Sequence, residues 1–311
     1  MKQSLPGTAT SQPASHKGRP LSINALSADV AVFRTDNAQW QGVRLHSLFE
    51  RVVNLELADG RLITLAHRES DNAPDTVVVD VKQWSRMGIQ MDSCILFSGG
   101  CLLLGDEVAI LLDKARPWSC HLPVYAPNNS RLRANLAIAN DHLEEHGRGI
   151  GIPCLTERAM SDFERELTAL FRENCKGLFL AAVANDEGLA RKHIDKLLGL
   201  GPGLTPAGDD FLLGFLTALN IPESPRHDWQ GLGQYIIQRA IQSTNTISLA
   251  ALRHAAKGQV RFRLVRLCVA LLYEDRSSLV TALDHVLSIG ASSGTDIALG
   301  LLSGFRLHIE N

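Results

Sequence analysis

The spacing of apolar residues divides the chain into two parts that meet near residue 125. Between residues 30 and 122, apolar residues occur in short runs separated by turn residues, a pattern typical of β-strands. The runs 52–58 and 61–65 flank Asp59-Gly60, which predicts a hairpin with a type I′ turn. Further short runs lie at 77–81, 94–97, 101–104 and 108–112. We therefore expect a small antiparallel β barrel or sandwich.

Beyond Pro127 the apolar residues have helical spacing. The stretch Ser161-Asp-Phe-Glu164 matches a capping box and predicts a helix from Asp162 to about Asn174. Additional helices are predicted near 130–146, 177–184, 187–198, 207–219, 228–242, 246–256, 260–273, 277–288 and 294–306. The expected fold class is α+β. It comprises a loose leader over residues 1–27, a β-rich domain over 28–125 and a mainly helical domain over 126–311.

Composition excludes several classes of protein. The chain has 311 residues, of which 31 are basic and 33 acidic, and its net charge is −2. Because it contains no long basic run, nucleic-acid binding is not expected. No apolar run reaches the ~18 residues of a membrane helix, and residues 1–20 lack the apolar core of a signal peptide. The six cysteines form no CxxC pair and fit free thiols. We expect a cytoplasmic protein that does not bind membranes.

The most unusual stretch is Gly199-Leu-Gly-Pro-Gly-Leu-Thr-Pro-Ala-Gly-Asp-Asp210, which precedes an apolar helix. Its glycines and prolines predict a turn, and Thr205 is the predicted N-cap of the helix. Such a helix start presents N–H groups and a positive dipole end that suit an anion. Asp209 and Asp210 could act in acid–base chemistry or bind a cation, or they could merely favour the helix dipole. The candidate binding residues here are Gly203, Leu204, Thr205 and Gly208.

A second stretch, Gly290-Ala-Ser-Ser-Gly-Thr-Asp296, resembles the first, because 208–214 and 294–300 both read Gly-x-Asp-x-x-x-Gly. Asp296 is therefore a third candidate catalytic carboxyl, although Ser293 could simply be an N-cap to which Asp296 reaches back. The two helix starts are expected to face one another. The remaining candidate binding residues are Ser292, Ser293, Gly294, Thr244 and Ser248, of which the last two lie before and in another predicted helix start.

Common catalytic and metal-binding motifs are absent from the sequence. There is no Walker A loop, no Gly-x-Ser-x-Gly elbow and no HExxH spacing. His142 and His146 share a helix face, but the charged residues around them indicate an exposed surface. No cofactor and no dedicated metal site are expected, although a divalent cation could bind at the Asp cluster.

Residues 199–212 together with 290–296 resemble the AllH-type subunit of bacterial oxamate carbamoyltransferase, and the 244–248 segment fits the same pattern. The resemblance implies a role in anaerobic allantoin and purine-nitrogen catabolism. There, oxalurate and phosphate would give oxamate and carbamoyl phosphate. It also implies AllF-type (FdrA-like) and AllG-type partner subunits and a small anionic substrate. Asp210 and Asp296 would then orient amide or water protons.

Two other hypotheses remain open at the level of sequence. The chain could be a non-catalytic scaffold or anion-sensing subunit whose motifs serve packing. Alternatively, it could be a metal-dependent hydrolase that uses Asp209, Asp210 and Asp296. The carbamoyl-transfer hypothesis does not account for charge compensation. Asp209 and Asp210 would repel an anionic ligand, and no basic residue adjoins them in sequence.

Overall fold

The structure is a computed structural model that describes residues 19–125, 128–152, 161–226, 229 and 231–310. Its first half is a nearly closed β barrel and its second half is mainly helical, which confirms the predicted α+β class. The strands of the described residues are β1 (Leu21–Asp29), β2 (Arg44–Leu48), β3 (Val52–Glu56), β4 (Leu62–Ala66), β5 (Thr76–Val79), β6 (Ile95–Ser98), β7 (Cys101–Leu104), β8 (Val108–Leu111) and β9 (Arg116–Trp118). Two single-turn helices, α1 (Val30–Phe33) and α2 (Asn37–Trp40), follow β1.

Strand β1 is the central strand of the barrel. The strand order is β2-β3-β4-β5-β1-β8-β7-β6, and β9 also pairs with β1. Residues 21–27, which composition placed in a loose leader, form most of β1. The first residues of β1 are mostly exposed, so burial of their side chains does not fix them in the strand. Backbone pairing with β8 does, with Leu21 opposite Val108 and Asn24 opposite Leu111. The pairings β1–β8, β1–β9 and β4–β5 are parallel, so the barrel is mixed and not purely antiparallel.

The predicted hairpin around Asp59-Gly60 is present, with β3 and β4 antiparallel. Gly60 has φ +79°, but Asp59 is not among the non-glycine residues with positive φ. The turn therefore is not type I′, which requires positive φ at both central residues. Instead, Gly60 donates its N–H to the carbonyl of Leu57, and Leu57 donates to Arg61.

The helical half begins after the predicted boundary. Its helices are α3 (Asn129–His146), α4 (Asp162–Val183), α5 (Glu187–Leu197), α6 (Ala207–Leu219), α7 (Gly231–Ser243), α8 (Thr246–Ala255), α9 (Phe262–Tyr273), α10 (Arg276–Leu287) and α11 (Ser293–Leu307). The helices expected over 162–174 and 177–184 are one helix, α4. Gly177 does not interrupt it, because the His193 ring of α5 packs where a Cβ would stand.

Helices α6 and α11 lie side by side in the core of this half and run parallel, because Thr205 contacts Ser293 at their starts and Gly304 packs against Ala218 towards their ends. A Cβ on Gly214 would lie 2.0 Å from the carbonyl oxygen of Ile297, and one on Gly300 would lie 1.9 Å from that of Phe211. Only glycine permits this approach of two backbones. The prediction that the two helix starts face one another is therefore confirmed.

A glycine near the start of α6 and one near the start of α11 each pack closely against the helix that precedes them in the chain. A Cβ on Gly208 would meet the carbonyl of Leu197 at the end of α5, and one on Gly294 would meet that of Val286 near the end of α10. The units α5–α6 and α10–α11 are thus packed in the same way. As a result, the N-termini of α6 and α11 lie next to each other at one end of the core.

Among the described residues, no helix is both long enough and apolar enough to cross a bilayer.

Candidate functional site

The two helix starts at the centre of the site lack side-chain caps. Helix α6 has Pro206 as its N-cap, so the prediction of Thr205 in that role was wrong. The extended Pro206 supplies its carbonyl to the N–H groups of Asp209 and Asp210 instead. Helix α11 begins after Ser292, and Ser292 makes no side-chain cap either. The hydroxyls near these starts are therefore free to make other contacts.

Thr205 and Ser293 connect the two helix starts through their hydroxyls. Thr205 Oγ1 donates to Asp210 Oδ2 over 2.9 Å and lies 2.8 Å from Ser293 Oγ. Ser293 also hydrogen-bonds the Asp210 carboxyl. Both hydroxyl residues are half-buried, whereas Asp210 is only 5% exposed. The hydroxyls thus lie between this carboxyl and the surface.

Asp296 is the most isolated acid of the site. It is 1% exposed, and its Oδ1 has no hydrogen-bond partner among the described residues. The backbone of Gly149 covers it, because a Cβ there would lie 2.8 Å from Oδ1. Burial, and next the negative charge of Asp210, raise the pKa of Asp296 to about 8.

Burial also raises the pKa of Asp210, to about 7, although its hydrogen bonds and the charge of Arg261 oppose the shift. Both carboxyls, one on each helix start, therefore bind and release a proton closer to neutral pH than an exposed carboxyl does. Groups with such pKa values can act as a general acid or base near neutral pH.

Asp209 has different surroundings from its neighbour. It is 2% exposed, and its Oδ1 accepts the N–H of Gly199 over 2.9 Å. Its Oδ2 accepts the hydroxyl of Thr244, and Ser248 lies beside the same carboxyl. Burial raises its pKa, and these hydrogen bonds act against that shift. Asp209 therefore ties α6 to the turn before it and to the α7–α8 connection.

The other predicted binding residues fall into two groups. The N–H groups of Gly208 and Gly294 donate to the carbonyls of Leu200 and Ile289, so these glycines serve close packing. Gly203 and Leu204 lie exposed at the turn, Gly203 with φ +103° and open space around it. The carbonyl of Leu204 accepts from the amide of Asn245, which fixes the turn to the start of α8.

Two contributors to the site were missed from the sequence. The segment 147–152 after α3 lies against the start of α11, where the N–H of Arg148 donates to Thr295 Oγ1 over 2.8 Å. From the sequence, a helix was predicted only as far as 146, but the three glycines that follow within 147–151 are a signal of close approach to neighbouring segments. Arg261, far from the motif in sequence, acts weakly on Asp210 through its charge, and its guanidinium is ion-paired with Asp71.

No group of three or more His, Cys, Asp or Glu side chains within the described residues is arranged to hold a metal ion. Asp209 and Asp210 contact different segments, as adjacent helical residues must, because their side chains diverge by about 100°.

Comparison with known families follows the division of the fold. A family described as AllH family N-terminal domain matches residues 24–117, which is the barrel. A family described as oxamate carbamoyltransferase subunit AllH matches residues 197–305, which includes both helix starts. No solved structure matches the chain. The description of the matching family is that of a subunit of a carbamoyltransferase. The chain belongs to the AllH family.

Proposed function

We propose that the chain takes part in carbamoyl transfer between oxalurate and phosphate, and that its site is the paired starts of α6 and α11. Family membership supports a role in an oxamate carbamoyltransferase. The observation that carries the site is the buried pair Asp210 and Asp296, which lies on adjacent helix starts with one carboxyl oxygen unpartnered. A buried, unsatisfied acid costs stability, so it calls for a functional reason.

The chemistry requires two proton movements. A phosphate oxygen attacks the ureido carbonyl carbon of oxalurate, and the bond from that carbon to the oxamate nitrogen breaks. Monohydrogen phosphate gives up its proton as carbamoyl phosphate forms, and the departing nitrogen takes up a proton. A pair of groups that accepts one proton and donates another therefore balances the reaction.

The half-buried hydroxyls of Thr205 and Ser293 are the groups that we assign to substrate contact. They lie between the Asp210 carboxyl and the surface, so protons can pass between substrate and the carboxyl through them. Asp210 and Asp296 hold the exchangeable proton behind this contact. Asp209 positions α6 through Gly199 and Thr244 and takes no proton in this scheme.

Charge compensation comes mainly from outside the chain in this proposal, because Arg261, the cation that acts on Asp210, is ion-paired with Asp71. Partner subunits of the AllF type (FdrA-like) and AllG type complete the site and provide the positive charge for the anionic substrates. The complex would work in the cytoplasm, in anaerobic allantoin and purine-nitrogen catabolism. The scheme requires no organic cofactor, and cation binding at the acids can be checked by elemental analysis.

The test is phosphate-dependent breakdown of oxalurate by the reconstituted complex. We expect Asp210→Asn and Asp296→Asn to lower kcat by about 100-fold or more, the usual contribution of a positioned acid or base. Asp141→Asn, which changes an exposed carboxyl on α3, serves as the matched control. Full activity of both site variants would contradict the site. Activity of the partner subunits without this chain would contradict its participation.

A further inference from the structure

A second candidate site lies in a cleft between the barrel and the helical half. The cleft has a volume of about 370 Å³, a size typical of small-molecule sites, which often lie between domains. Its lining includes Arg34 after α1, Arg61 before β4, and His254 on α8. None of these residues belongs to the paired helix starts, and neither of the sequence motifs includes them.

The acids around the cleft are already satisfied. Asp29 accepts the N–H of Ala31 over 3.2 Å and the N–H of Asp75 over 2.7 Å, one on each oxygen. Asp75 Oδ1 lies 3.5 Å from Arg61, and its Oδ2 lies 3.1 Å from His254. The Asp29 carboxylate is thus held by two backbone N–H groups, and the charge of Asp75 is compensated by Arg61.

The cations are not balanced in the same way. Arg34 is exposed, and among the described residues it makes no ion pair. Arg61 is 28% exposed at its side chain and shares Asp75 with His254. Arg34 is therefore a guanidinium without an acidic partner among the described residues, and it lines a partly enclosed space where an ionic contact is stronger than on an open surface.

One residue beside the cleft has an uncommon backbone conformation. Asp75, which follows the lining residue Pro74, has φ +49°, which non-glycine residues seldom adopt. The hydrogen bond to Asp29 and the contacts with Arg61 and His254 fix it there. Strain of this kind concentrates at binding sites, where it holds side chains ready for a ligand.

We propose that this cleft binds a small molecule through a carboxylate or phosphoryl group, gripped by the guanidinium of Arg34 with Arg61 beside it. Guanidinium groups bind both kinds of oxyanion through paired hydrogen bonds. The ligand would contact both halves of the protein, because Arg34 and Arg61 belong to the barrel and His254 to α8. Ser248 at the start of α8 lies beside Asp209, so one helix reaches from the cleft to the paired helix starts.

The test is a titration of the full chain followed by NMR of its backbone amides, with inorganic phosphate in one series and acetate in another. We expect at least one probe to shift the amides of Ala31 and Asp75. Arg34→Gln should weaken that binding about tenfold, the usual effect of losing a charge-assisted hydrogen bond. Arg44→Gln is the matched control, since Arg44 is an exposed barrel arginine that pairs with Glu56 outside the cleft.

The two probes separate the possible ligand groups, because a response to phosphate alone indicates a phosphoryl group and a response to acetate alone a carboxylate. Absence of shifts at the cleft amides with both probes would overturn the proposal. Equal affinity of Arg34→Gln and the unchanged chain would do so as well. These amides report on the cleft and not on the helix starts, so the result is independent of whether the acidic pair acts in carbamoyl transfer.

Discussion

Asp296→Asn probes whether the acidic pair holds a proton in the folded protein. Asn has nearly the same size as Asp, so packing beneath Gly149 is retained while the ionisable group is removed. Burial and Asp210 raise the pKa of Asp296 from 3.8 to about 8. The folded chain therefore keeps a proton that the unfolded chain releases near pH 4.

This difference has a defined sign and size. Between pH 4 and 8 the folded state binds more protons at this carboxyl than the unfolded state, so the free energy of unfolding falls as pH rises. The stability that the Asp296 proton contributes is fully present below pH 3.8, the pKa in the unfolded chain. It is lost as pH rises through about 8, the pKa in the folded protein. One carboxyl gives a slope of about 1.4 kcal/mol per pH unit.

Histidines with lowered pKa values act in the opposite direction, but only at lower pH. Burial lowers the pKa of His67, His193 and His308, and these contributions to stability are lost as pH falls below the ordinary value of 6.5. Above pH 6.5 these histidine effects are therefore small, and because Asp210 also titrates there, the effect of Asp296 is taken from the difference between the variant and the unchanged chain.

Urea unfolding at several pH values in this range supplies the measurement. We expect the stability of Asp296→Asn relative to the unchanged chain to increase with pH, by on the order of 1 kcal/mol per unit. Asp141→Asn, at an exposed position on α3, should follow the unchanged chain throughout. Parallel profiles for Asp296→Asn and the unchanged chain would refute the reasoning, because they would mean that this carboxyl is ionised across the range.

Two further predictions concern the packing that positions the site. Gly300→Ala places a Cβ 1.9 Å from the carbonyl oxygen of Phe211, so it should lower the free energy of unfolding by about 3 kcal/mol in urea titrations. Gly231→Ala, where a Cβ meets nothing within 4 Å, should change it by less than about 1 kcal/mol, and equal effects of the two would contradict the packing. Thr244→Val removes a donor from buried Asp209 and should cost about 2 kcal/mol in thermal or urea unfolding. Thr281→Val, at an exposed position of α10, should lower the free energy of unfolding much less. A similar loss for both variants would argue against a stabilising hydrogen bond from Thr244 to Asp209.

Local patterns predicted the helices well, because burial on one face and helix breakers at the ends are encoded within a few residues. Helix α6 was expected over 207–219 and spans Ala207–Leu219. The parallel pairing of β1 with β8 was not predictable in this way, since its partners are far apart in sequence. Because the sequence does not show that β8 pairs with residues 21–24, the polar composition of residues 21–27 indicated a leader instead of a strand.

The site was predicted in its parts but not in its connections. The likeness of the two Gly-x-Asp-x-x-x-Gly stretches predicted that the two helix starts face one another, and Thr205 and Ser293 are in contact there. Nothing local showed that Gly149 would cover Asp296, or that Arg148 would bond Thr295. Thr205 was assigned as an N-cap on local rules, but its hydroxyl bonds Asp210 and Ser293, which a tertiary contact brings within reach.

The contrast between the adjacent acids Asp209 and Asp210 locates the function within the motif. Asp209 has a donor on each oxygen and joins three segments, so its presence is explained by stability alone. Asp210 raises the pKa of a second buried carboxyl, that of Asp296, which leaves an oxygen unpartnered. Apolar residues of similar size at these two positions would avoid the cost of burying like charges. Stability therefore does not account for Asp210 and Asp296, and we assign the proposed proton exchange to them rather than to Asp209.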